Sequence, residues 1–132
     1  MRKKIIGAFI LIASLTISED LVLAQTPRRI QFAKGQSSAV VKGSTGTDGA
    51  DFVVRAKSGQ KLILKLAPTS GVGIKVESEG RYGHSVLLRE EKGGIYEVGL
   101  EETGDYSIFI GSTGHKSVSF TLSIKITKMT DI

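Results

Sequence analysis

Between Ser117 and Thr127 every second residue is apolar. Val118, Phe120, Leu122, Ile124 and Ile126 alternate with Ser117, Ser119, Thr121, Ser123, Lys125 and Thr127. Successive side chains of an extended chain point to opposite faces, whereas a helix would need apolar residues three or four apart. The run therefore reads as a strand with one wholly apolar and one wholly polar face. Such a strand covers a core on one side and meets water on the other.

The same period recurs upstream. Phe52, Val54 and Ala56 share one face, with Asp51, Val53 and Arg55 opposite. Leu62, Leu64 and Leu66 point one way while Lys61 and Lys65 point the other. Lys57-Ser58-Gly59-Gln60 joins these two runs, and its Ser-Gly step suits a hairpin turn. Ile30–Phe32, Ala39–Lys42, Ile74–Glu77, Val86–Arg89 and Tyr96–Leu100 are weaker strand candidates. Glycine-rich stretches at 43–49, 69–73, 80–83 and 93–94 supply the punctuation, and Pro27 and Pro68 lie outside the strand-like runs. The expected fold is all-β, an antiparallel, jelly-roll-like sandwich of about eight or nine short strands. Each large apolar side chain buried in it contributes roughly 1.5–3 kcal/mol.

The N-terminus bears on compartment. Arg2, Lys3 and Lys4 precede an apolar run from Ile5 to Ile17, and Val22-Leu23-Ala24 offers a cleavage site before Gln25. A basic start, an apolar stretch and small residues at the cut describe a secretory signal peptide over residues 1–24. The apolar run falls short of the roughly 20 residues a spanning helix needs. The expectation is a periplasmic or secreted single domain over residues 25–132, with no membrane contact after cleavage. The chain has no cysteine. A domain of this size without bridges must rely on its apolar core, and thiolate metal sites and cysteine nucleophiles are excluded. The formal charge of +5 falls to +4 once Arg2, Lys3, Lys4, Glu19 and Asp20 are removed. The charges are dispersed, with Arg28-Arg29 the one adjacent arginine pair. A nucleic-acid reader would show a basic stripe with interleaved aromatics, which is missing here.

Catalytic signatures are sparse. The two histidines, His84 and His115, each sit near glycine in turn-like sequence. Their separation and the lack of thiols do not meet the three or four converging ligands of a zinc site. There is no Gly-x-Ser-x-Gly elbow. Gly71-Val72-Gly73 lacks the lysine and helix of a phosphate loop. Asp48 and Asp51 flank a loop end, and Glu101, Glu102 and Asp105 form a second acidic group. Calcium takes six to eight oxygens, usually from interleaved acidic residues, and no Asp-x-Asp-x-Asp pattern is present. Paired glycosidase carboxylates would want an aromatic sugar platform, and the chain has no tryptophan. A non-enzymatic binding protein without cofactor or metal is expected.

One segment invites a functional reading. Thr103-Gly104-Asp105-Tyr106 leads directly into an alternating strand, Tyr106 to Ile110. A tyrosine at the start of a sandwich strand can close a tyrosine corner on the preceding backbone, with the glycine supplying the turn. The segment taken with Ile30 to Ala39, with Phe52 and with Ala56-Lys57-Ser58-Gly59-Gln60-Lys61 forms an ordered series. That series resembles the periplasmic inhibitors of goose-type lysozyme and the related pre-peptidase C-terminal-like β-sandwich domains. The inhibitor resemblance implies that a Ser-Gly-x-Tyr loop enters the lysozyme cleft. Here that motif falls on Thr103, Gly104, Asp105 and Tyr106 as the partner-binding loop. It implies that the Thr103 hydroxyl meets a catalytic carboxylate, that Gly104 allows close approach, and that Tyr106 supplies a rigid contact. Threonine stands where the inhibitors carry serine. The pre-peptidase resemblance implies instead a module that binds a cell-envelope polysaccharide or assists an exported protein.

Overall fold

The computed structural model describes residues 27–80 and 83–129. The expected leader over residues 1–24 lies outside the described residues. Nine strands follow one another among those described: β1 (Arg28–Arg29), β2 (Ser38–Ser44), β3 (Ala50–Ala56), β4 (Gln60–Ala67), β5 (Val72–Gly80), β6 (Gly83–Glu90), β7 (Gly94–Gly99), β8 (Gly104–Ser112) and β9 (Ser119–Lys128). They form two sheets. One has the order β1-β3-β8-β5-β6 and the other β2-β9-β4-β7. Every pairing is antiparallel except that of β1 with β3. Among the described residues no helix is long and apolar enough to cross a membrane.

The period-two rows become the two walls of the core. Phe52, Val54 and Ala56 of β3, Val72, Ile74 and Val76 of β5, and Tyr106, Ile108 and Ile110 of β8 are buried from one sheet. Leu62, Leu64 and Leu66 of β4, Val98 of β7, and Phe120, Leu122, Ile124 and Ile126 of β9 meet them from the other. Phe52 and Phe120 cross edge to face, with ring centroids 6.1 Å apart. Aliphatic rows from two inner faces, interlocked in this way, hold a sandwich together without bridges.

Several local expectations are corrected. The first strand is Arg28–Arg29, not Ile30–Phe32. Ile30 instead turns into the core, and its amide donates to the Val53 carbonyl at 2.8 Å. Gly43 lies within β2 and not in a turn: it pairs with Phe120 of β9, whose ring sits 3.1 Å from where a Cβ would be and leaves little room for a side chain. Val72 and Gly73 belong to β5. His84 stands on β6 and not in a turn, with Nδ1 3.5 Å from Glu79 on the neighbouring strand. A register shift between Val76 and Glu77 marks a bulge in the β5–β6 pair.

The strand directions sort the loops to two ends. Ala56 pairs with Gly104, and the β3–β4 turn and the β7–β8 loop therefore share one end. The β5–β6 hairpin reaches the same end, since Ser78 pairs with Tyr106. The β2–β3 and β8–β9 loops lie at the other.

Candidate functional site

The segment from Glu101 to Asp105 forms the approach to β8, and its shape follows from Tyr106. That ring is buried, with 2% of its surface exposed. Its phenol donates to the carbonyl of Glu102, four residues back. The corner expected from the sequence is present. Burial, with the nearby Glu102 and Glu101 charges acting in the same direction, pushes the phenol above its ordinary range. It stays a hydrogen-bond donor throughout the physiological range. Tyr106 thus lies beneath the loop and fixes its path.

A second corner has the same construction. Tyr96 donates to the carbonyl of Lys92 at 2.7 Å, again four residues back. Gly94 precedes it by two residues, as Gly104 precedes Tyr106, and these glycines have φ of 151° and 159°. Gly-x-Tyr is therefore an architectural device of this fold, used at the start of β7 and again at the start of β8. The residue before the glycine separates the two. At the β7 corner it is the buried Gly93, where a Cβ would meet the Pro68 carbonyl oxygen at 1.9 Å. At the β8 corner it is the exposed Thr103.

Thr103 is held by the neighbouring turn. Its Oγ1 accepts a hydrogen bond from the Ser58 amide at 2.9 Å. Gly59 donates to the Leu100 carbonyl at 2.9 Å, and Leu100 donates to the Gln60 carbonyl at 2.9 Å. Gly59 sits at φ 88°, the left-handed region that a tight turn reserves for glycine. The two loops are thereby stapled into one unit. A hydroxyl that accepts one bond still has its hydrogen to donate. Beside it, a Cβ built on Gly104 would meet nothing within 4 Å, so the backbone there is open.

Asp105 has a different place from the one the acidic cluster suggested. Its carboxylate takes a two-pronged contact from Arg29 of β1, at 3.2 and 2.9 Å. Arg55 of β3 lies 3.8 Å away. The Arg29 hydrogen bonds and the two guanidinium charges hold its carboxyl below the ordinary range, against a smaller opposing effect of burial. Asp105 is consequently neutralised on the sheet's outer face and adds nothing to a negative patch with Glu101. The adjacent arginines are both used locally, since Arg28 stands 5.5 Å over the Phe52 ring.

The other carboxylates disperse. Asp51 lies on the outer face of β3, where burial raises its pKa against the opposing effect of the Lys75 charge, one strand beyond on β5. Among the described residues no group of three or more histidines and carboxylates converges as metal ligands would.

No protein-family model matches the chain, and no curated protein does either. Solved structures do. PliG from Aeromonas hydrophila, a periplasmic lysozyme inhibitor of g-type lysozyme, superposes with a TM-score of 0.68 at 28% identity, covering 77% of this chain and 96% of that one. This chain resembles the PliG inhibitors. A mutant of the Escherichia coli PliG superposes at 0.60 with 24% identity, over 76% of this chain and 97% of that one, a likeness of fold. The pre-peptidase C-terminal domain of a Bacillus anthracis collagenase is more distant, at 0.44 and 9% identity over 76% and 94% of the two chains.

Proposed function

We propose that this chain is an exported, non-enzymatic inhibitor of a goose-type lysozyme, acting in the periplasm. The observation that carries the reading is the agreement with the Aeromonas hydrophila inhibitor along almost its whole length, with a TM-score of 0.68. The working element is the loop from Thr103 to Tyr106. Its residues divide the work. Thr103 offers its hydroxyl hydrogen to a carboxylate of the enzyme cleft, while the Ser58 amide occupies the acceptor side and directs it. Gly104 leaves the backbone open to close approach. Tyr106 shapes the loop from below, a supporting role in place of the direct contact implied by the resemblance. Asp105 anchors the loop to β1 through Arg29.

The energetics suit an inhibitor. A hydrogen bond to a charged acceptor contributes about 1.5–3 kcal/mol, roughly tenfold to more than a hundredfold in affinity. A loop held rigid before binding loses little further freedom when it docks. The net positive charge gives no long-range attraction to a basic enzyme, but the exposed Glu101 beside the loop supplies a local negative group. The test is a titration of goose-type, chicken-type and invertebrate-type lysozymes with the mature protein. Inhibition of the goose-type enzyme is expected, and an unchanged goose-type rate at micromolar protein would remove the proposal.

A further inference from the structure

The two outer faces of the sandwich carry their charges differently. On the outer face of the β1-β3-β8-β5-β6 sheet cations and carboxylates are matched: Arg29 and Arg55 meet Asp105, and Lys75 lies 3.6 Å from Glu77. The outer face of the β2-β9-β4-β7 sheet is unbalanced. Lys42, Lys61, Lys65 and Lys125 stand on it, with Glu97 as its single carboxylate. Lys61 takes Glu97 at 3.1 Å. Among the described residues Lys42, Lys65 and Lys125 form no ion pair, and all three are exposed.

Strand register gathers them. The apolar alternates of β4 and β9 go to the core, which leaves their odd-numbered residues on the outside. Lys65 of β4 lies opposite Ser123 of β9, and Ser123 opposite Val40 of β2. On its other side Lys65 lies opposite Ile95 of β7. One row therefore runs across all four strands as Val40, Ser123, Lys65 and Ile95. Its two ends are aliphatic and open, with Val40 64% and Ile95 67% exposed. At about 4.8 Å between neighbouring strands the row is roughly 14 Å wide. In the flanking rows Lys125 lies opposite Ile63 of β4, and Lys42 opposite Thr121 of β9. The other outward residues of β9 are hydroxyl-bearing: Ser119, Thr121, Ser123 and Thr127.

Lysines, hydroxyls and open aliphatic side chains on one face are what the surface of a phospholipid bilayer calls for. Ammonium groups and hydroxyls meet the phosphates, while lysine stems and the aliphatic side chains rest against the acyl boundary. The lysines are spread over the face and do not converge on one point, so they suit an extended array of anions. None of the outward residues of these four strands is aromatic, and the face has no ring on which a nucleobase could stack. We propose that this face adsorbs to an anionic phospholipid surface. The contact is peripheral, and it departs from the expectation of no membrane contact, which weighed only a spanning segment. The Thr103 loop lies at an end of the sandwich and not on this face, so the proposal is independent of the lysozyme reading.

The experiment is co-sedimentation of the mature protein with phosphatidylcholine vesicles, without and with about 40% phosphatidylglycerol, at about 0.1 M salt. Each unpaired lysine held at an anionic surface contributes roughly fivefold to partitioning. Binding to the anionic vesicles should therefore exceed that to the neutral ones by about tenfold or more, and most of the difference should vanish at about 0.5 M salt. Lys42→Gln, Lys65→Gln and Lys125→Gln together should remove about tenfold or more. Removing three cations from the opposite outer face, Arg55→Gln, Lys75→Gln and Arg89→Gln, should leave binding within about threefold of wild type. Val40→Ser with Ile95→Ser should weaken it at least about threefold through lost apolar contact. Melts of each variant confirm folding. Three results would overturn the proposal: no preference for anionic over neutral vesicles, equal losses from the two triple variants, or retention on immobilised heparin without any vesicle binding, which would assign the face to a soluble polyanion.

Discussion

Removing one oxygen from each of two tyrosines separates architecture from function in this protein. Tyr106→Phe deletes the donor to the Glu102 carbonyl and leaves the buried ring in place. A neutral hydrogen bond contributes about 0.5–1.5 kcal/mol net, and the exposed Glu102 segment lets water reach the abandoned carbonyl. The expected loss is therefore about 1 kcal/mol. For a domain near 100 residues that lowers Tm by roughly 4–8 °C. Tyr96→Phe deletes the matching donor to Lys92 at the other end of the molecule, from a less buried ring, and should cost somewhat less. The stability effects are similar, but their consequences for inhibition differ. Loosening the β8 corner frees the loop that carries Thr103 and should weaken inhibition of a goose-type lysozyme about three- to tenfold. Loosening the β7 corner should leave it within about twofold of wild type. Thermal melts and inhibition titrations on the same two variants provide the readout. A wild-type Tm for Tyr106→Phe would refute the corner energetics. Equal losses of inhibition in both variants would refute the division of labour.

Two carboxylates give opposite pH signatures. The Asp105 pKa is lowered in the folded state, so its stabilisation is present above the unfolded value and is lost as pH falls through the folded one. Asp105→Asn should cost at most about 1 kcal/mol near neutrality, since the pair with Arg29 is half exposed, and the difference from wild type should vanish in acid. The Asp51 pKa is raised, chiefly by burial, so its ionisation opposes folding. Asp51→Asn should be slightly more stable than wild type near neutrality, by less than about 1 kcal/mol. That advantage should close as pH falls through the raised folded value to below the unfolded one. Chemical denaturation across a pH series checks both signs.

How far the sequence revealed this molecule depended on whether the relevant contact was local. Alternation along β3, β4 and β9 exposed the buried rows directly, because the period of a strand is written in neighbouring residues. The corner at Tyr106 was equally legible, being a contact over four residues. Its twin at Tyr96 carries the same Gly-x-Tyr spacing, masked in the sequence by the Gly93-Gly94 pair, which has the look of a simple turn. The rest depended on distant partners. Arg29 meets Asp105 across 76 positions, and nothing near either residue announces the pair. Gly43 resembles a breaker until the Phe120 ring that covers it is known. Ser58 holds Thr103 from 45 positions away, so the setting of that hydroxyl emerges only in the fold.

That hydroxyl is the sharpest point of the account. Thr103→Val keeps the shape and both methyl-sized branches but removes the oxygen that takes the Ser58 amide and that is proposed to offer a hydrogen to the enzyme. Thr103→Ser keeps the oxygen. The deciding measurement is the inhibition constant of both variants against a goose-type lysozyme, with melts recorded alongside. Thr103→Val should weaken inhibition by about tenfold or more, for a loss of at most about 1 kcal/mol in stability, while Thr103→Ser should stay near wild type. Undiminished inhibition by Thr103→Val, with the protein folded, would contradict the central claim.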